Sequence, residues 1–349
     1  MPTPRQPLKV AILGVPDVTA STLYGMFDLL SSPGRDFAFI TSGVAGEQSM
    51  SPFIVARALA GVPAANGIWI KPHHDFNDSP LPDIVCIPDF FVNPGERVAG
   101  QFPAEAAWIK KAFDGGAILA SACSGAVLLG EAGLLSNCEA TIHWGWVQSL
   151  TNNYPGVRVN IRQSLVLGGK GQRVVMAGGG SNWQDLALYL IARYVGLKEA
   201  IEVARVYMLQ WHDLGQLPYA ALLPRRKSAD AVIGKCQDWI ADNYRVASPV
   251  SELAKMSGLP SRTFVRRFRN ATGLTPLDYV QALRVEEAKQ MLETTDMAVE
   301  AIASAVGYED PSFFGRLFRK KVGMTLAQYR LRFGSLRRVL KAESALGPP

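Results

Sequence analysis

The sequence predicts two domains: an α/β domain, with a parallel sheet flanked by helices, and then an all-α domain carrying two helix-turn-helix motifs. Three observations carry this. Strand-length apolar runs alternate with helical segments between residues 8 and 200. A block beginning near residue 250 returns near residue 300. Charge divides the chain in the same place: residues 1–220 hold 15 Lys/Arg against 17 Asp/Glu, a net −2, and residues 221–349 hold 21 against 13, a net +8. A neutral front and a basic back imply two tasks, the second involving a polyanion.

Composition removes several classes. Hydrophobic residues are 48% and charged residues 19%, enough apolar content for a core and too much for a disordered chain. Gly 32 and Pro 22 are near average, which excludes collagen-like and low-complexity chains. MPTPRQP is followed only by LKVAILGV, too short an apolar stretch for a secretory signal, and no run of about 18 apolar residues follows, so a cytoplasmic protein with no membrane partner is expected. Cys86, Cys123, Cys138 and Cys236 form no CxxC pair, so neither a disulfide framework, a metal site nor a cofactor is expected.

Taken in order, LKVAILG (8–14), FAFITS (37–42), DIVCIP (83–88) and GAILASA (116–122) read as buried strands. Helices are expected from Ser21 to Leu30 and from Ala104 to Phe113, the latter anchored by Trp108 and Ile109. Residues 164–179 read as a hairpin around Gly168-Gly169-Lys170-Gly171. Residues 181–196 read as an amphipathic helix with Ser181 as N-cap and Gly196 as its stop.

The most informative front segment is ILASACSGAVLLGEAGLL (118–135), a strand that turns at Cys123-Ser124-Gly125 into a helix. This is the layout of a nucleophile elbow with Cys in place of Ser, at the sheet edge where open α/β folds bind ligands. The helix N-terminus is expected to lower the thiol pKa. His143, in TIHWGW, is a candidate partner for the sulfur. At A-C-S-G-A-x-L-L-x-E-A-G-L-L (122–135), A-T-I-H-W (140–144) and Gly178-Gly179-Gly180, the chain resembles the PfpI-like branch of the class I glutamine-amidotransferase fold, and more closely the sensor domain of GlxA-type transcription regulators, over roughly residues 8–200.

Two departures set it apart from hydrolytic or hydrating members of that superfamily. Thr22 stands where they resemble one another in an acidic residue near the cysteine, and Pro88 is followed by Asp89-Phe90 where they commonly carry Gly-Gly. Nucleophilic catalysis needs an activated nucleophile, and acyl transfer needs an oxyanion hole. With both supports altered, the chain is expected not to be an enzyme. Cys123 and His143 are the candidates for a cysteine-dependent hydrolase or hydratase, and a redox sensor built on Cys123 is the third reading. A ligand pocket is expected near Thr22, Cys123, Ser124, His143, Trp144 and Trp183, for a small-molecule effector whose identity the sequence does not give; Trp faces attract cations, so an ammonium-bearing metabolite suits it.

A linker is expected over 215–229, GQLPYAALLPRRKSA, with two prolines and a basic cluster. Helical pattern resumes at 231–244, with Ile233, Cys236, Trp239 and Ile240 on one face. Then the repeat begins. Leu253, Ala254 and Gly258 match Ile302, Ala303 and Gly307 at an offset of 49; after one inserted residue, Phe264, Arg266, Phe268, Arg269, Gly273, Thr275 and Tyr279 match Phe314, Arg316, Phe318, Arg319, Gly323, Thr325 and Tyr329 at 50. Each copy reads as helix–turn–helix, with Gly258 and Gly307 at the turns, Ser261 and Asp310 as N-caps, and the paired phenylalanines in the core. The opposite faces offer Ser261, Arg262, Arg266 and Arg269, and Ser312, Arg316, Arg319 and Lys320, to a DNA major groove. Residues 276–295 between the copies read as one helix of about 27 Å, a spacer near one DNA turn of about 34 Å.

The block resembles the AraC/XylS-type DNA-binding domain over about residues 230–334, most closely at D-P-S-F-F-G-R-L-F-R-K-K-V-G-M-T-L-A-Q-Y-R (310–330). Leu326 departs from the Pro usual there and kept at Pro276, and is expected to alter a helix start. The resemblance implies a transcription regulator that binds a double-stranded DNA operator, acts as a homodimer and carries a sensor and dimerisation domain over 1–214, a DNA-binding domain over 230–334 and a tail over 335–349.

Overall fold

The computed structural model describes residues 6–93, 96–222, 228–335 and 337–340. The chain divides into two compact units, 1–216 and 217–349.

In the first unit the strands are β1 Leu8–Leu13, β2 Met50–Ala56, β3 Val62–Pro63, β4 Trp69–Ile70, β5 His74–Asp75, β6 Ile84–Ile87, β7 Ile118–Ala122, β8 Glu139–Ala140, β9 Arg158–Val159, β10 Leu165–Gly168 and β11 Val174–Ala177. Seven of them form the central sheet in the order β10-β11-β7-β6-β1-β2-β5. Every pairing in it is parallel except the β10–β11 hairpin. The helices are α1 Ala20–Ser31, α2 Asp36–Ser42, α3 Pro103–Asp114, α4 Ala126–Glu131, α5 Val147–Asn153, α6 Asn182–Tyr194 and α7 Leu197–Val206. Helix α6 packs on α1 and α7, while α4 packs on α3 and α5. β6 and β11 are buried along their length, β1 from Val10 onward and β7 from Leu119 onward, which explains their largely apolar runs.

The strand expected at 37–42 is instead α2, closed by Gly43 in the left-handed region (φ 76°). None of its residues is buried, and Phe39 and Ile40 are 58% and 65% exposed. A short apolar run does not distinguish strand from helix, and the second sheet strand is formed by Met50–Ala56. Ser181 does stand at the N-cap of α6, but its side chain makes no capping bond.

The second unit is helical: α8 Ala231–Asn243, α9 Pro249–Ser257, α10 Ser261–Thr272, α11 Pro276–Thr294, α12 Val299–Ala305, α13 Pro311–Val322 and α14 Leu326–Phe333. Helices α9–α10 and α12–α13 are the two copies of the repeat. Gly258 and Gly307 take φ of 64° and 85° at the turns. Phe264, Phe268, Phe314 and Phe318 are fully buried in one core with Ile233, Cys236 and Ile240. Ser261 is not an N-cap: α10 begins on it, and Pro260 occupies the cap position without a side-chain bond. Asp310 does cap α13, accepting from Ser312 N at 2.8 Å.

Leu326 does not alter the helix start. Helices α11 and α14 begin fifty residues apart, at Pro276 and Leu326. Thr325 and Gln328 form a reciprocal capping box that fixes the end without proline: Thr325 Oγ1 accepts from Gln328 N at 3.2 Å, and Thr325 N donates to Gln328 Oε1 at 2.9 Å.

The expected linker is largely tied down. Gln216 is 3% exposed in the first unit. In the second, Ala220 O accepts from Lys289 Nζ and Leu222 N donates to Glu286. Residues 223–227 lie outside the described residues, as do 341–349 of the expected tail, whose Arg337 pairs with Asp296. Thr325→Ala is expected to destabilise the second unit by about 1 kcal/mol, read as a lowered urea midpoint at unchanged slope; an unchanged midpoint would mean the box does not hold the helix start.

Candidate functional site

The basic faces sit on α10 and α13. Burial of the Phe264/Phe268 and Phe314/Phe318 pairs turns the opposite side of each helix outward. Ser261, Arg262, Arg266 and Arg269 are exposed on the first, and Ser312, Arg316, Arg319 and Lys320 on the second. Among the described residues these six cations make no ion pair or hydrogen bond. Arg267 differs: its guanidinium holds both Asp230 oxygens, at 2.6 and 3.0 Å, and Asp230 also caps α8. The hydrogen bond to Asp230 raises the Arg267 pKa. A free cation is available to phosphates or base edges, whereas Arg267 is committed. Phe313, which the sequence reading did not single out, is 46% exposed on α13 next to Ser312, with its ring centroid 5.8 Å from that of Tyr308.

Helix α11 holds the two copies together. Its Arg284 is 7% exposed and donates to Tyr244 O at 2.7 Å, Val246 O at 2.8 Å and Gly307 O at 3.1 Å, while its guanidinium stacks 4.8 Å from the Tyr308 ring. The carbonyls flank the C-terminal end of α8 and the turn of the second motif. Gly307 needs its missing Cβ here, because one would lie 2.6 Å from Arg245 O.

In the first unit, β7 runs into Cys123, whose φ of 52° is the left-handed value of an elbow. Cys123 N donates to Gly178 O at 3.1 Å, which ties the elbow to the end of β11. A Cβ on Gly125 would fall 2.4 Å from Ile87 O, so only glycine lets the turn sit on β6. The chemistry does not follow the geometry. Burial, with the nearby Asp89 carboxylate, pushes the Cys123 thiol up to about 12, opposite to the lowering expected from the helix N-terminus. Burial also lowers the His143 pKa. Its Nδ1 accepts from Gly145 N at 3.0 Å, which assigns the proton of the neutral ring to Nε2 and leaves no lone pair for a thiol.

The other expected pocket residues divide. Ser124 is buried, with its hydroxyl donating to Phe90 O at 2.6 Å and accepting from Phe90 N at 3.0 Å, so it is a structural clamp. Thr22 is buried in the first turn of α1. Three residues earlier, Thr19 Oγ1 donates to Asp89 at 2.5 Å. Trp183 packs against Gly25 on α1, where a Cβ would fall 2.4 Å from the indole. His143 and Trp144 are half-buried with ring centroids 5.0 Å apart, and Trp146 meets the imidazole edge-on at the same distance. Gly179 lies against the His143 ring, so close that a Cβ would overlap it. Cys123, His143, Trp144 and Gly179 are therefore the half-buried part of the elbow that solvent reaches, and Thr22, Ser124 and Trp183 support it.

Sequence reading also missed Gln216. Its Nε2 donates to Ile142 O at 2.9 Å and Thr141 Oγ1 at 3.3 Å; its Oε1 accepts from Gly179 N at 3.0 Å and Trp144 N at 3.1 Å. Among the described residues no group of three His, Cys, Asp or Glu is arranged to hold a metal, and no helix is long and apolar enough to cross a membrane.

A helix-turn-helix domain family model matches residues 253–332. The HTH-type transcriptional regulator CdhR of Pseudomonas aeruginosa is 30% identical over 249 residues, 69% of this chain and 71% of the relative. The HTH-type transcriptional regulator GlxA of Rhizobium meliloti is 27% identical over 219 residues, 61% of this chain and 64% of the relative. A solved AraC family transcriptional regulator from Pseudomonas putida is 17% identical with a TM-score of 0.47, covering 58% of this chain and all of that one.

The thiol chemistry is directly checkable. Alkylation of Cys123 by iodoacetamide in the full chain, followed by peptide mass mapping, is expected to accelerate about tenfold per pH unit between about pH 7 and 10 without levelling. A plateau near neutral pH would mean an activated thiolate.

Proposed function

The chain belongs to the AraC-type HTH transcriptional regulators, and on that premise we propose how it works. It is a DNA-binding regulator of transcription and not an enzyme. The reading helices are α10 and α13, which enter successive major grooves of one double-stranded operator with α11 as the spacer. Ser261, Arg262 and Arg266 in the first copy, and Ser312, Phe313 and Arg316 in the second, face base edges; Arg269, Arg319 and Lys320, a turn later, meet phosphates. The observation that carries this is the set of six exposed cations without an internal partner on two equivalent helix faces.

The α/β unit, residues 1–214 with its exit segment, is the sensor. A small-molecule effector binds at the Cys123–His143–Trp144 edge and biases how the DNA-binding unit is presented; such control requires tighter binding to one arrangement than to the other. In support, the elbow is retained, with its left-handed Cys123, although its thiol is not activated. A homodimer working in the cytoplasm completes the reading, carried from the family resemblance. Hydrolysis predicts turnover lost in Cys123→Ala, and redox sensing predicts peroxide-dependent DNA binding lost in the same variant. Effector sensing predicts a dissociable, unmodified ligand that raises the melting temperature of the full chain.

Arg266→Ala and Arg316→Ala are each expected to weaken binding to a duplex selected from a random library by about 1–3 kcal/mol, roughly five- to 150-fold in Kd at fixed salt. Arg267→Ala should weaken it far less, since that side chain is held by Asp230. Unchanged affinity in both of the first two variants would sink the assignment of the reading faces.

A further inference from the structure

We propose that Gln216 is the residue through which the state of the elbow is transmitted to the DNA-binding unit. This rests on the reading of the α/β unit as a sensor and names how that sensor is wired.

The stretch leaving α7 is fastened at three successive points. His212 N donates to Asp185 Oδ1 at 3.1 Å and its Nδ1 lies 3.0 Å from Asp185 Oδ2, on a carboxylate that is fully buried. Gly215, at φ 60°, presses so closely on Arg162 that a Cβ would fall 2.2 Å from its carbonyl oxygen. Gln216 N then donates to Ile161 O at 3.1 Å while its side chain makes its four bonds to residues 141, 142, 144 and 179. A Cβ on Gly178 would fall 2.3 Å from Gln216 Nε2, so the turn is shaped around this amide.

The partners of Gln216 are what make it a transmitter. Its Oε1 is shared by Trp144 N–H and Gly179 N–H, one from each segment bordering the elbow. Gly178 O, one residue from Gly179, accepts from Cys123 N. Hydrogen bonds weaken steeply with distance and misalignment, so a ligand that moves residues 141–144 relative to 178–179 breaks one acceptor bond or the other. Gln216 is then either seated or released.

The segment after Gln216 is short. Only Leu217, Pro218 and Tyr219 precede Ala220, whose carbonyl is held by Lys289 on α11. Tyr219 OH accepts from Arg332 at 2.7 Å, and Leu222 N donates to Glu286. A chain spans at most about 3.6 Å per residue, so with Gln216 seated the step from it to Ala220 reaches at most about 14 Å, and release of Gln216 lengthens that reach. Coupling of this kind is reciprocal: if the elbow biases DNA binding, DNA must bias the elbow.

That reciprocity gives a test that needs no identified effector. Hydrogen exchange is followed in the full-length protein, alone and saturated with the library-selected duplex. The amides of Trp144 and Gly179 are expected to change their exchange rates by about fivefold or more on DNA binding. Gln216→Ala should abolish the response. A second variant, with Gly-Ser-Gly-Ser inserted between Gln216 and Leu217, leaves Gln216 seated and both units intact; it should keep the two amides protected and bind DNA, yet lose the response. DNA-insensitive amides in the parent protein, or a response surviving in the insertion variant, would overturn the proposal. Failure of the parent protein to bind any duplex would instead overturn the DNA-reading function beneath it.

Discussion

The DNA-reading unit depends on one buried guanidinium. Arg284 sits near the middle of α11, and three backbone carbonyls take its charge; among the described residues it forms no ion pair. Burying a cation without compensation costs several kcal/mol. Here the compensation comes from carbonyls at or just beyond the C-terminal ends of α8 and α12, near the negative ends of those helix dipoles. The same three bonds tie residues 244–246, after α8, to the turn of the second motif. Side-chain chemistry at the centre of α11 thus fixes the segment after α8 against the turn that leads into α13. Nineteen residues at about 1.5 Å each give α11 a length of about 28 Å.

The α/β unit shows a different kind of constraint, in which an enzyme-like backbone outlives the electrostatics of an enzyme. A left-handed non-glycine residue costs about 1–2 kcal/mol, and Cys123 bears it. A hydrolase would gain an exposed nucleophile from that strain. Here the thiol stays protonated near neutral pH, the imidazole lone pair is turned to Gly145, and Asp89, where an oxyanion would need donors, presents a carboxylate. Thr19 and Ser124 hold residues 89–90 closed over the turn. What persists is a shaped sheet edge lined by imidazole and indole, suited to recognition and unsuited to acyl transfer.

Much of this was legible in the sequence, for physical reasons. The repeat fixes α9–α10 and α12–α13 because each phenylalanine pair must face one core at helical spacing. The elbow shows because a strand, a small polar residue and glycine adjoin in sequence. Local pattern failed where the deciding partner lies elsewhere. Apolar residues at 37–42 suggested a strand, yet none of them is buried on the short helix they form. Leu326 suggested a disturbed helix start because a missing proline is visible, while its replacement by the Thr325–Gln328 box is a geometric matter. Gln216 and Arg284 escaped altogether. Their partners lie between 23 and 75 residues away, and no periodicity marks a polar side chain that will be buried.

Those two residues share a property that bears on control. An apolar anchor loses energy gradually as it slides, because dispersion and burial fall off smoothly with area. A buried amide or guanidinium with every bond satisfied behaves otherwise: small displacements leave donors and acceptors unpaired in a low-dielectric interior, so the arrangement resists movement until it gives way as a whole. Such an element has two discrete states, and a ligand can shift its equilibrium only by binding one of them better. Arg284 uses this stiffness to hold residues 244–246 to the turn of the second motif. Gln216 stands at the exit of the α/β unit, where four bonds converge on a single amide and the next fixed carbonyl is four residues away. In the proposed control, the same all-or-none behaviour would convert a small shift at the elbow into a change in the reach of the segment that follows.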